Sequence, residues 1–363
     1  MDETPPSWLS ETIPISDRYY TAFPLGSVLL MLPFAGLKAA HVISSLPSRL
    51  VASLIAAALV FVFYRLSEQS DSTLPRRMLL ALFPVFATWT WSNLAMAGAW
   101  QLALGAAVAG EAGALYFTLV RPKPLAAGIC FAIAFGNRTE LIVTGPIFGY
   151  LLLRSTLGRN NEALPTNFRS WLTKVRYERR LLAGICSAPV ALGLLTLAYN
   201  YARFGSALEF GYHKIPGVLQ EPWYRAGLFA FSAVRWNIHK MLFEGMRDIS
   251  HFPYEIPGAF GGSIFLACPF LFLLFREGPR DYLKPLCWIT IAVLTCLLWL
   301  HGNPGGYQFS YRYAIILLPW FFLLLLRNGP RRASATEISL FAISIAINGI
   351  ATYLFLWTSE VKP

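Results

Sequence analysis

The chain has 363 residues, of which 56% are apolar and only 13% are charged, and its mean hydropathy is +0.51. Soluble domains carry about 25% charged residues, so this composition excludes a soluble domain and predicts an integral membrane protein. The net charge of +11 does not indicate nucleic-acid binding, because the basic residues lie in short loops between apolar runs, where they set membrane topology.

Cysteine and histidine spacing gives no sign of a metal site. The five cysteines lie inside apolar runs without a CxxC pair, and the five histidines show no HExxH or other ligand spacing. We therefore predict core cysteines, no structural metal and no organic cofactor. The use of a divalent metal in catalysis is left open.

Residues 1–48 are predicted to form an outer tail followed by an interfacial helix. The segment 1–21 is acidic and rich in proline, so it lacks the apolar core of a signal peptide. The apolar stretch 22–42 is interrupted by proline and glycine. It is either a further span or a helix lying in the membrane interface with Tyr19 and Tyr20 at headgroup level, and we favour the second.

Ten apolar runs approach the roughly 20 residues that a membrane-crossing helix needs. They are residues 49–64, 78–94, 99–119, 124–137, 140–153, 181–199, 258–275, 285–300, 313–326 and 336–357. Several are short, and 124–153 could instead be a broken pair. The predicted fold class is all-α, a single polytopic transmembrane helical bundle over residues 1–363 with about ten spans.

Basic residues predict the orientation of this bundle. If the run 49–64 crosses from outside to inside, most Lys and Arg residues fall in the cytoplasmic loops, as the positive-inside rule requires. The N-terminal tail, the segment 200–257 and the loop 301–312 then share the outer face. We expect any chemistry to take place there.

The segment 200–257 is predicted to be an outer loop that contains an amphipathic helix. In its part LFAFSAVRWNIHKML, apolar residues recur at helical spacing, which is typical of a helix on a membrane surface. Glu209, Tyr212 and His213 precede this helix and are candidate polar contacts. The alternative is a structural lid without substrate contacts.

Two charged residues lie at or inside predicted spans. Arg138, at an outer membrane edge, either neutralises Glu140 or binds a phosphate. Glu111 lies within a span, where an acid is a functional candidate. Its glycine-rich surroundings are typical of close helix packing, so structural pairing is favoured.

The segment HGNPGGYQFSYRY, residues 301–313, places Arg312 where the chain enters an apolar run. An arginine at that depth is costly unless it faces water, an anion or protein. Arg312 therefore predicts a site for a phosphate-bearing lipid at the membrane edge.

In chain order, these motifs resemble the polytopic GT-C glycosyltransferases, in particular bacterial enzymes similar to dolichyl-phosphate-mannose–protein mannosyltransferases. The motifs are RYY-x3-PLG-x2-LL-x2-P, a span beginning at Arg49, AIAFGNRTE, YN-x2-RFGSALEFGY, and GG-x5-RY before a proline-containing span. They cover residues 15 to 326. No motif is diagnostic alone, and the resemblance rests on their order and common outer placement.

The resemblance implies sugar transfer with inversion, from a polyprenyl-phosphate donor to a glycan, lipid or protein acceptor. The reaction would take place on the extracytoplasmic face of a bacterial cytoplasmic membrane. Arg312 and Arg138 would contact the donor phosphate, and Asp17, with Glu11 behind it, would be the catalytic carboxylate. The expected substrate contacts are Tyr19, Tyr20, Glu209, Tyr212, His213 and Tyr311.

The sequence departs from this family at its start. The family begins with a helix whose outer end carries the catalytic acid, whereas Met1 corresponds to a position already inside the first outer loop. We therefore expect a misplaced start, a fragment, or a member without transfer activity. A transporter or flippase for a lipid-linked substrate is a further alternative, although no internal repeat is evident.

Overall fold

The computed structural model describes residues 12–15, 18–160, 165, 167, 169–170, 173–174, 178–224, 226–251, 254–279 and 281–361. The structure is 71% helical, nearly all-α and without a closed sheet, so the predicted fold class is confirmed at that level. Its helices are α1 Leu25–Ala39, α2 Ser48–Leu66, α3 Leu74–Phe86, α4 Thr90–Met96, α5 Ala99–Leu115, α6 Pro124–Asn137, α7 Gly145–Arg159, α8 Arg179–Phe204, α9 Phe231–Ile238, α10 Ile264–Ala267, α11 Leu283–Leu300, α12 Leu318–Asn328 and α13 Ala335–Trp357.

Two short antiparallel hairpins accompany the helices in the described part of the chain. Strand β1, Thr12–Ile15, pairs with β2, Arg18–Thr21, in a register that places Ile13 opposite Tyr20. Strand β3, Arg247–Asp248, pairs with β4, Glu255–Ile256.

Within the described part of the chain, six helical units are long and apolar enough to cross a membrane. They are Ser48–Gln69, Ala99–Val120, Thr139–Arg159, Arg179–Phe204, Leu283–Leu300 and Ala335–Trp357. The pair α3 and α4, bent by 51°, is a seventh candidate. These helices fit a multi-pass membrane protein, whereas the expected total of about ten spans is not confirmed.

The predicted spans 258–275 and 313–326 are interrupted helices in the structure. Helix α10 ends before Cys268, whose ψ of 82° is the extended conformation favoured by a residue that precedes proline. Pro269 then begins a separate 3₁₀ helix, Pro269–Phe275. Similarly, the 3₁₀ helix Arg312–Leu317 precedes α12, which has Pro319 in its first turn.

Helix α12 lies at the centre of the bundle, with every residue from Leu318 to Leu326 buried. Trp320 packs on Phe148 of α7, and Phe322 packs on Phe63 of α2 with 4.8 Å between ring centres. Helix α5 packs beside α12. It also packs closely against α6, where a glycine of α5 faces the α6 backbone. A Cβ atom at Gly110 would lie 2.7 Å from backbone atoms of α6, so only glycine permits this approach.

The prediction that the cysteines are core residues is wrong for two of them. Cys268 and Cys287 are buried, but Cys186 on α8 and Cys296 on α11 are exposed. A thiol behaves as a small apolar group, so it suits an apolar helix surface as well as a protein core.

The helix expected in the segment 200–257 is present as α9, and it turns a polar residue toward the bundle. Phe231 is 87% exposed, whereas the polar Asn237 is fully buried. The Asn237 amide donates hydrogen bonds to the carbonyls of Trp299 and His301 at 2.9 and 2.7 Å. It thereby satisfies carbonyls that the C-terminus of α11 leaves unpaired.

A buried ion cluster joins α3 to α13 at one end of the bundle. The Arg76 and Glu337 side chains are 0% and 2% exposed, and Arg76 Nη2 lies 3.1 Å from Glu337 Oε1. Arg76 also donates to the carbonyls of Leu325 and Leu326, and Arg276 Nη1 lies 3.4 Å from the same carboxylate. Arg76 is therefore a buried residue that links α3 to α12 and α13.

The opposite end of the bundle gathers the three segments that were expected to share one face. Arg203 at the end of α8 donates to the carbonyl of Thr21 in β2, and Phe229 forms a β-bridge with His301. We call this end, formed by strands β1 and β2, the described residues between 205 and 263, and residues 301–313, the site end.

Candidate functional site

The two predicted phosphate-binding arginines meet at the site end, where both lie against the ring of one tyrosine. Arg138 follows the last residue of α6, and its Cζ lies 4.6 Å from the centre of the Tyr313 ring. Arg312 begins the 3₁₀ helix before α12, and its Cζ lies 5.4 Å from the same ring centre. Each guanidinium gains cation–π stabilisation from this ring.

Arg138 is already paired. Its Nε donates to Glu140 Oε1 at 2.7 Å, and its Nη2 contacts the same oxygen. These side chains are 16% and 19% exposed, so the pair is largely shielded from water. The structure therefore shows the mutual neutralisation that was one of the two alternatives for Arg138.

Arg312 is placed differently, because it lines a small pocket with unsatisfied polar groups. The residue is 9% exposed, and its Nε has no hydrogen-bond partner among the described residues. The other lining residues are Ser92, Asn93, Met96, Gln308 and Phe309. Asn93 Oδ1 and Gln308 Oε1 are also buried without a partner in the described chain. Buried polar atoms without partners are costly, and the space between these side chains is too small for a water molecule, so a ligand reaches them only if the side chains move apart.

Tyr212 and Tyr224, in the segment 200–257, are connected to the two arginines through a series of aromatic rings. The hydroxyls of Tyr212 and Tyr224 are 2.7 Å apart, and the Tyr224 ring packs edge-on against His301 with centres 6.1 Å apart. His301 in turn packs on Tyr313, at 5.7 Å. Tyr212, a predicted substrate contact, therefore belongs to the same cluster as Arg138.

The surroundings of His301 disfavour its charged form. Its Nδ1 donates to the carbonyl of Asn303 at 2.8 Å, because a carbonyl can only accept. Burial lowers the pKa of the His301 imidazole below its usual value of 6.5, and the charge of Arg138 lowers that pKa further. The cluster therefore holds its positive charge on the arginines.

The other predicted substrate residues lie at varied distances from this cluster. Tyr311 is fully buried and donates its hydroxyl to the carbonyl of Leu298 at 3.2 Å, and burial raises the pKa of that phenol. Tyr20 packs against Phe204, whereas Tyr19 is 62% exposed. Tyr311 therefore contributes to the packing beneath the site, whereas Tyr19 lies on the surface.

Glu209 and His213 form a local turn. Glu209 Oε1 accepts from the backbone N–H of Gly211 at 2.6 Å, and His213 Nε2 lies 3.2 Å from Glu209 Oε2. The carboxylate stabilises the left-handed conformation of Gly211, whose φ is 79°. The predicted catalytic residues Asp17 and Glu11 lie outside the described residues.

Glu111 is completely buried in α5, where Oε1 accepts a hydrogen bond from Trp320 Nε1 at 2.7 Å. Trp320 thus supplies the structural partner that was favoured for this acid. The other oxygen, Oε2, has no hydrogen-bond partner within the described ranges.

Sequence reasoning missed Tyr313, Asn93 and Gln308 as members of the Arg312 neighbourhood. Tyr313 and Gln308 lie within the polar segment 301–313, so their proximity to Arg312 in sequence was a usable signal. Asn93 comes from α4, and only the packing of α4 near the 3₁₀ helix Arg312–Leu317 brings it to the pocket. Among the described residues, no group of three His, Cys, Asp or Glu side chains could hold a metal ion.

Comparison with known proteins found no matching family model, no matching curated protein and no matching solved structure.

Proposed function

We propose that this protein is a membrane glycosyltransferase of the GT-C type. In this proposal it transfers a sugar, with inversion, from a polyprenyl-phosphate donor to a glycan, lipid or protein acceptor. The site end faces the extracytoplasmic side of a bacterial cytoplasmic membrane, and membrane lipid surrounds the bundle.

The observation that carries this proposal is the convergence of Arg138 and Arg312 on Tyr313 beside a pocket with unsatisfied polar atoms. A phosphate needs positive charge and several directed donors, and arginine supplies both. Arg312 is the better candidate for direct contact, because Arg138 already pairs with Glu140. Arg138 then packs on the Tyr313 ring, against which Arg312 also lies.

The chemistry of transfer fits this arrangement. As the bond between the anomeric carbon and the phosphate oxygen breaks, negative charge develops on the departing polyprenyl phosphate. Fixed positive groups stabilise that charge in a transition state, because they need no reorganisation when it forms. The low exposure of Arg312 strengthens this effect, since water screens it weakly.

A transporter or flippase for the same lipid-linked substrate is the second candidate, and Glu111 is the observation that favours it. An acid inside the bundle with one unpartnered oxygen is a feature of transport and proton-relay pathways. The polar cluster nevertheless gathers at one end of the bundle, which favours a surface reaction.

Reconstitution into liposomes with radiolabelled polyprenyl-phosphate hexose separates the two candidates. A transferase moves label from the donor to acceptors in a membrane extract, and it releases polyprenyl phosphate. Label that crosses the bilayer on its original carrier, without transfer, would overturn the glycosyltransferase proposal in favour of transport. Protein-free liposomes control for spontaneous movement.

A further inference from the structure

Four aromatic side chains form a partly exposed surface at the end of the bundle opposite the site end. Phe265 of α10 stacks on Phe272 with ring centres 5.1 Å apart, and Phe275 stacks on Trp288 of α11 at 5.7 Å. Phe265 and Phe275 lie 6.2 Å apart, which joins the two pairs. We call this surface, formed by Phe265, Phe272, Phe275 and Trp288, the aromatic wall.

The aromatic wall faces outward because the segment Pro269–Phe275 is a 3₁₀ helix. Three residues form one turn of such a helix, so Phe272 and Phe275 lie one above the other on the same side. They are 57% and 65% exposed, whereas Leu271 and Leu274, on the other sides, are buried. An exposed apolar face of this kind, in a multi-pass membrane protein, suits the chains of a lipid.

Arg276 follows the last phenylalanine of the aromatic wall, and its guanidinium is only partly used. Nη1 is buried and lies 3.4 Å from Glu337 Oε1, without forming a hydrogen bond to any described residue. The side chain as a whole is 27% exposed. Among the described residues, Nε and Nη2 have no hydrogen-bond partner either, and they are not buried. Their N–H groups are therefore accessible at the edge of the wall.

Positive charge is in excess around this guanidinium. The Glu337 carboxylate is shared with Arg76, so one negative charge faces two positive ones. Asp281 does not correct the excess, because it pairs with Arg327. The charge of Glu277, the next residue in the chain, is exposed to water and therefore screened. The accessible N–H groups thus suit an anion.

A second cation lies at the same edge. Lys284 precedes Trp288 by four residues on α11, so the two side chains share one face of that helix. Tryptophan is enriched where membrane helices meet the lipid headgroups, so Trp288 marks the depth at which the aromatic wall gives way to charged groups. Apolar rings, an interfacial tryptophan and cations follow one another in the order of the chains, glycerol and phosphate of a phospholipid.

We propose that this surface binds an anionic phospholipid, with the phosphate on Arg276 and an acyl chain against the aromatic wall. Arginine presents paired donors to phosphate oxygens, and basic sites between membrane helices bind acidic headgroups. The aromatic wall favours a lipid over free phosphate, and the excess positive charge favours an acidic headgroup over a zwitterionic one. The site lies at the other end of the bundle from Arg312 and does not depend on the proposed function.

Lipid titrations followed by native mass spectrometry test the site on the full chain in detergent micelles. The probes are phosphatidylglycerol and phosphatidylcholine with identical acyl chains, and the wild type should bind phosphatidylglycerol more tightly. Arg276→Ala should raise the Kd for phosphatidylglycerol by about 10- to 100-fold, because it removes charge-assisted hydrogen bonds to the phosphate. Arg332→Ala, which removes an exposed arginine at the same end, is the matched control and should leave this Kd unchanged.

A second variant tests the aromatic wall. Phe275→Ala should weaken the binding of phosphatidylglycerol, because it removes a ring that contacts the acyl chain. Phe61→Ala is the matched control, since Phe61 on α2 is 64% exposed, against 65% for Phe275, and lies outside the wall. Excess inorganic phosphate should not displace the bound lipid. Displacement by phosphate, or equal losses in the two phenylalanine variants, would overturn the assignment to a lipid.

Folding is controlled by the design of the arginine variant. Glu337 keeps Arg76 as its counter-charge when Arg276 is removed, so Arg276→Ala should retain the wild-type melting temperature without added lipid. Equal Kd values of the wild type for the two lipids, or an unchanged Kd for phosphatidylglycerol in Arg276→Ala, would overturn the proposal. A dimer that forms without bound lipid and is lost in Phe275→Ala would instead assign the aromatic wall to a second copy of the chain.

Discussion

Arg138 and Arg312 lie against the same aromatic ring, with their Cζ atoms 4.6 and 5.4 Å from the centre of Tyr313. They differ in what else they contact. Arg138 is held by Glu140, whereas Arg312 Nε has no partner among the described residues. The two guanidinium groups therefore have separate tasks, one fixed in an ion pair and the other available to a ligand.

Arg312→Ala should weaken binding of polyprenyl-phosphate hexose by about 10- to 100-fold, the effect of losing charge-assisted hydrogen bonds to phosphate. Equilibrium binding of labelled donor to protein in nanodiscs measures this loss. Arg235→Ala, which removes an exposed arginine of α9, is the matched control. Unchanged donor affinity in a normally folded Arg312→Ala protein would remove Arg312 from the site.

Removing either member of the Arg138–Glu140 pair should destabilise the fold by about 1–3 kcal/mol, because the remaining charge is then largely buried without its partner. The double variant Arg138→Gln/Glu140→Gln should lose less stability than the sum of the single variants. Equilibrium unfolding in mixed micelles provides the free energies. Strict additivity would show that the two side chains are not coupled.

Substitutions in the buried Arg76–Glu337 cluster, at the opposite end of the bundle, should lower the unfolding free energy more than those in the Arg138–Glu140 pair. Glu337→Gln should cost about 3–5 kcal/mol of unfolding free energy, since Arg76 is completely buried and would lose its counter-charge. Glu68→Gln is the control, because Arg65 and Glu68 are 28% and 27% exposed and such pairs contribute about 0–1 kcal/mol. Similar losses in both variants would contradict the burial of the Arg76–Glu337 pair.

His301 should make stability depend on pH. Its folded-state pKa lies below the usual 6.5, so the unfolded chain binds a proton more readily than the folded one. The contribution to stability is complete above about pH 6.5 and is lost as the pH falls through the lower folded-state pKa. Thermal unfolding between pH 8 and pH 5 measures this loss.

The variant His301→Asn should flatten this pH dependence, because it removes the titrating imidazole. His213→Asn is the control, since that side chain is 53% exposed. An unchanged pH profile in His301→Asn would assign the pH dependence to other groups.

The sequence alone determined the class of this protein, its all-α character and the approximate position of most helices. Those properties depend on the length and composition of apolar runs, which are local. The Arg138–Glu140 pair was also foreseeable, because only one residue separates its members. The positions of helix breaks were harder to predict. Pro269 and Pro319 each lie near the start of a new helix, but the surrounding runs are apolar throughout and so look like continuous spans.

Only the tertiary structure decided which distant polar residues meet. Arg76 and Glu337 are 261 positions apart, and nothing in their local sequence distinguishes Arg76 from the other basic residues at span ends. Likewise, the convergence of Arg138 and Arg312 on Tyr313 depends on which helix ends pack together. These contacts are fixed by helix packing, which depends on the shapes of side chains on several elements at once. No single stretch of sequence contains that information.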